Sequence, residues 1–210
     1  MKLHVNWKRF WLIFGLLQVT LFLAGCSAAW LGAVSALLPT LESAVSAVIA
    51  FVMALEGKTI SAEISSKVQQ IGADIKAEIA NVQTLIADYK NAASTGLLSQ
   101  IQAVFQGILD NLSSILTNVH VSDQATVGKV TQLVGLAVSA AQAIIALIPL
   151  VMSKLASGAS KEELEAEDKL AASNVNALNN GLKASYVRIV TAETTNSDVN
   201  TALASLPPSI

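Results

Sequence analysis

The chain is short of nearly everything that catalysis and metal binding use. Its 210 residues include one cysteine and two histidines. A single cysteine excludes an internal disulfide and any cysteine-rich metal site, so no metal is expected. Charged residues make up 13%, against about 25% in ordinary soluble chains. The few lysines and arginines never cluster, which argues against nucleic acid as a partner, since phosphate contacts need grouped cations. Gly107, Gly128 and Gly135 stand alone, so there is no glycine-rich phosphate loop. Runs with strand-like alternation are missing too.

What is there is apolar. Hydrophobic residues reach 53% and mean hydropathy is +0.56, a composition that buries a core and does not stay disordered. The charge is uneven. Lys2, Lys8 and Arg9 make residues 1–25 net +3, and the remainder is net −5.

The lone cysteine sits at the end of the first apolar run. Residues 1–9, MKLHVNWKR, are basic, and residues 10–24, FWLIFGLLQVTLFLA, carry no charge. Those 15 residues fall short of the roughly 20 that a spanning helix needs. Basic, apolar and then small residues is the order of a secretory signal peptide. Leu23-Ala24-Gly25-Cys26 resembles the lipobox of bacterial lipoproteins in all four positions. The resemblance implies that Cys26 receives a diacylglycerol on sulfur, that a peptidase recognising Leu23, Ala24 and Gly25 removes residues 1–25, and that the new α-amino group is acylated as well, with palmitate-type chains. Two or three chains hold a protein firmly where one does not. Ser27, rather than Asp, follows the cysteine, which in this family implies outer-membrane sorting with the body facing the periplasm. No other cofactor is implied. Trp30 suits either headgroup depth or packing within the first helix.

The mature chain reads as all-α, an antiparallel bundle of four to five helices over residues 26–192 with an irregular tail at 193–210. Segment 28–56 carries Leu31, Val34, Leu38, Leu41, Val45, Val48, Val52 and Leu55 on one stripe. Pro39 should kink or divide it, with Thr40 and Ser43 capping a restart and Gly57 closing it. Segment 59–93, begun by Thr59 or Ser61, spaces Ile60, Ile64, Val68, Ile71, Ile75, Ile79 and Val82 by 4, 4, 3, 4, 4, 3. That eleven-residue period predicts a straight or slightly right-handed stripe. Segment 97–119 shows Leu98, Ile101, Phe105, Ile108, Leu112, Ile115 and Val119. Segment 124–156, capped by Ser122 or Asp123, holds an uncharged run at 130–153, bent late by Pro149. Segment 161–192 starts with the capping box Ser160-x-x-Glu163 and continues through Leu164, Ala171, Val175, Leu178, Leu182 and Ile189. Segments one and four, the most apolar, should be central. The run 130–153 is long enough to span a bilayer, yet a helix central to a bundle is equally apolar all round.

Chemistry is scarce. His120, with Ser122 and Asp123 beside it, reads as a turn before a cap. The acids at 162–168 follow a helix start, where the dipole favours them, and lack the glycine-centred loop of a calcium site. Asn174, Asn176, Asn179 and Asn180 form a polar group suited to contact. The sequence therefore predicts a non-enzymatic lipid-anchored module that meets an envelope protein partner. Two alternatives stay open. One is a membrane-active, pore-former-like protein that inserts 28–56 and 130–153; the other is a carrier of an apolar ligand.

Overall fold

A computed structural model describes the backbone of residues 7–92, 94–157 and 161–210, and the side chains of 31–92, 94–149, 151–153 and 173–210. The described residues form an all-α bundle: α1 (Trp7–Ala54), α2 (Ala62–Asn91), α3 (Thr95–Asn118), α4 (Gln124–Ser157), α5 (Lys161–Thr191) and a short α6 (Ser197–Ala204). Helices α1 to α4 pack as a ring, each on the next and α4 back on α1, and α5 lies against α1 and α4. Short connections make each neighbour run antiparallel to the last.

The caps explain the boundaries. Ser61 accepts the Ile64 N–H and Ser94 the Leu97 N–H. The Asp123 carboxylate takes the backbone N–H of Thr126 at 2.7 Å before α4. Each oxygen satisfies a donor that a helix start leaves open. Gly57, at φ +73°, makes the turn after α1, donating its N–H to the Ile60 carbonyl at 2.9 Å. That left-handed backbone suits glycine.

Helix α1 is the hub. All eight stripe residues named above, Leu31 to Leu55, are buried, together with Leu37 and Phe51. Only a narrow strip remains exposed, including Ser35 and Pro39. This strip explains why Pro39 neither breaks the helix nor starts a new one. The carbonyl that loses its donor to Pro39 belongs to Ser35 and faces solvent, where hydration serves it. Thr40 therefore caps nothing. It is buried, and its hydroxyl donates to Oδ1 of Asn179 on α5 at 2.5 Å. The Asn179 amide in turn donates to the Ala36 carbonyl at 3.3 Å. Helix α4 likewise continues through Pro149 to Ser157.

Helix α2 corrects the eleven-residue reading. Its buried residues are Ser65, Val68, Gly72, Ile75, Ile79, Val82, Ile86 and Tyr89, spaced 3, 4, 3, 4, 3, 4, 3. That is a heptad seam, as on α3, where the predicted stripe from Leu98 to Ile115 is buried throughout. Ile64 and Ile71 sit at the edge, half-buried. The inner positions belong to small residues because the helices approach closely. A Cβ on Gly72 would lie 2.2 Å from Cδ1 of Ile49 on α1.

The tail is also ordered, against the expectation of an irregular 193–210. Asn196 accepts the N–H groups of Asp198 and Val199 to start α6, and Val199, Ala202, Leu203 and Leu206 are buried. Tyr186 donates its hydroxyl to the Pro207 carbonyl at 2.8 Å, so the tail closes one end of the bundle. On α5, Val175 and Leu182 are buried as expected, while Leu178 is 37% exposed, Asn179 takes the inward position instead, and Tyr186 is buried one turn past Leu182. The capping box at Ser160 and the acids at 162–168 lie outside the described side chains.

Candidate functional site

The backbone of Leu23, Ala24, Gly25 and Cys26 lies within α1; their side chains are outside the described set, as is that of Trp30. Their place follows from the bundle's register. Ile49 of α1 lies beside Gly72 of α2, and the two helices run antiparallel. Nineteen residues back along α1 is Trp30, and nineteen forward along α2 is Asn91, its last residue. The α2–α3 turn is therefore level with Trp30, and Cys26 stands one helical turn farther out, about 6 Å. The stretch of α1 that α2 covers begins just after the cysteine.

The other groups singled out by sequence do not assemble. His120 is exposed. The Asp123 carboxylate is committed to Thr126, accepting from its N–H and, at 2.6 Å, from its hydroxyl. These bonds, the hydroxyl's first, hold Asp123 below the usual carboxylate range. Among the described residues no three of His, Cys, Asp and Glu are grouped to hold a metal ion. Of the four asparagines, Asn179 is drawn inward as a pin between α1 and α5, and Asn174, Asn176 and Asn180 stay exposed.

Two polar features escaped the sequence reading. Glu78 of α2 turns its carboxylate into the notch left by Gly107 on α3, Oε1 lying 2.7 Å from where a Cβ would stand. Asn111 donates to its other oxygen at 3.2 Å. Burial raises the Glu78 pKa, Asn111 opposes the rise, and the like charges of Asp74 and Asp110 add to it. Lys129 of α4 is buried, its ammonium donating to the carbonyls of Ile189 at 2.6 Å and Ala192 at 2.8 Å. It closes the C-terminal end of α5, where a cation is favoured. Desolvation lowers its pKa. The only sequence sign of the first was a glycine inside a regular helix, and of the second a lone lysine ahead of an uncharged run.

Leu31–Ala54 and Gln124–Ser153 are each long and apolar enough to cross a membrane. The first is 56% buried inside the bundle and the second 41%, so packing accounts for more of the apolarity of α1 than of α4.

No family model, no curated protein and no solved structure matches the chain.

Proposed function

We propose that this chain is a lipid-anchored envelope lipoprotein whose bundle acts as a non-enzymatic structural or binding module, held by diacylglycerol and an N-acyl chain on Cys26. One observation carries the reading: the four-position lipobox ends one turn before the stretch of α1 that α2 covers. Removal of residues 1–25 leaves the described packing of residues 31–210 intact and places the acylated residue beside it. Chains on sulfur and nitrogen supply about 0.8 kcal/mol for each buried CH₂. Outer-membrane residence follows from Ser27, and the polar face of α3, rich in Gln, Ser and Asn, suits an envelope protein partner. Metabolic labelling with radioactive palmitate tests the anchor. Wild type takes label and Cys26→Ala takes none. An unlabelled wild type, or an intact mass that retains residues 1–25, overturns the reading.

The exposed side of α4 favours one second reading, a bundle that opens and inserts α1 and α4. It requires leakage of liposomes by the unlipidated protein, and no leakage across the pH range removes it.

A further inference from the structure

The anchor reading has a geometric consequence for the bundle's attitude. Cys26 and Trp30 are separated by four residues within one unbroken helix. As helix they span about 6 Å, and even drawn out they reach no more than about 14 Å. The enclosed part of α1, Leu31–Ala54, has 24 residues and a length of roughly 36 Å. The tether is thus far shorter than the body and continuous with its central helix. We infer that the bundle stands end-on against a phospholipid surface, with the α2–α3 turn and the start of α5 as its contact face and the α6-capped end pointing away.

The turns at the two ends differ in charge. The near turn, from Asn91 to Gly96, is small and uncharged. The far end carries Glu56, Asp123, Glu193 and Asp198 together with Lys58, Lys129 and Arg188; Lys58 lies 3.6 Å from Asp198, and Lys129 is committed to the Ile189 and Ala192 carbonyls. The start of α5 names the lipid class. Asn179 pairs with Thr40 and α5 runs parallel to α1, so positions 162–168 are level with positions 23–29. The stretch of α5 backbone that bears five acids, Glu162 to Asp168, is thus level with the anchor. The fitting surface is zwitterionic, with affinity from acyl chains rather than headgroup charge. This inference rests on acylation of Cys26.

The experiment uses the full chain processed in its host and placed in zwitterionic phospholipid vesicles. With Cys26 blocked by its thioether, one introduced cysteine is the only free thiol. A fluorophore is attached to Ala92→Cys at the near turn, to Ser139→Cys on α4, or to His120→Cys at the far end, all exposed positions. Quenching by a nitroxide carried on the lipid headgroup is then read. Strong quenching at position 92, several-fold weaker at 139 and none at 120 is the expected result. Equal quenching at all three, as for a bundle lying along the surface, overturns the inference. So does no quenching at any of them while the protein still floats with the vesicles. A wild-type chain that itself takes the thiol label shows instead that Cys26 is free, and then the anchor reading has failed and the inference with it.

Discussion

Thr40 and Asn179, 139 residues apart, close on each other at 2.5 Å between α1 and α5. Asn179 occupies an inward position of α5, between Val175 and Leu182, where an apolar residue would otherwise stand. A single asparagine on a helix seam fixes register because only one alignment satisfies it. Asn179→Ala leaves the Thr40 hydroxyl buried without its acceptor and should lower stability by about 1–3 kcal/mol, measured by urea unfolding. The pair Thr40→Val with Asn179→Leu removes both polar groups and should cost less than that single change. If the pair costs more, the contact is not a desolvated pin.

Gly72 meets Ile49 in the tightest approach described. Alanine at 72 gains about 1 kcal/mol of helix propensity. It must also push aside Cδ1 at 2.2 Å and Cγ1 at 2.7 Å, and such overpacking costs about 1–3 kcal/mol. Gly72→Ala should therefore destabilise the bundle. In the Ile49→Ala background the same change should stabilise it, a coupling of at least about 1 kcal/mol in a double-mutant cycle. Additive changes would show that the helices part without resistance.

Ser65 lies wholly buried on the α2 seam, and its hydroxyl has no hydrogen-bond partner among the described residues. Its small size is what the seam uses. Ser65→Ala keeps the size and removes the unpaired hydroxyl, so stability should rise by about 1 kcal/mol. A fall in thermal midpoint would mean that the hydroxyl is satisfied.

Glu78 makes stability depend on pH in a direction opposite to that of a paired carboxylate. Its folded pKa is raised, first by burial and then by Asp74 and Asp110, above the ordinary value of 4.5. Its contribution is full below that value and is lost as pH rises through the raised one. Glu78→Gln removes the titration. The thermal midpoint of wild type relative to Glu78→Gln should be highest near pH 4 and fall toward pH 7. Parallel curves would sink the assignment. Asp123, with its lowered pKa, works the other way, but it is common to both proteins and cancels.

The helices were legible because their apolar residues recur at helical spacing, and Ser61 and Asp123 were each legible as one of two neighbouring cap candidates. The errors share a cause. Counting large residues on α2 favoured Ile64 and Ile71 and passed over Ser65 and Gly72, although a close helix pair puts its smallest residues at the centre of contact. Pro39 predicts a kink or a division of α1; the division does not occur, and the sequence did not reveal that its ring would face outward, where a freed carbonyl costs little. The tail looked irregular because α6 has eight residues, and its few apolar side chains gain order only from the bundle end they cover. The notch that receives Glu78 is a relation between two helices and leaves no pattern in either one. Cys26 was legible through a four-residue motif, and its nearness to the enclosed bundle emerges only from the pairing of Ile49 with Gly72.

Lys129 sets a toll on any excursion of α4 from the bundle. Its ammonium plugs the open end of α5, so an α4 that moves alone into oil strands two carbonyls behind it and drags a positive charge ahead of its apolar stretch. A hairpin of α4 and α5 moving as one unit keeps the plug seated but carries the polar length of α5 with it. The same side chain that finishes one helix thus acts as a ratchet against eversion of its neighbour.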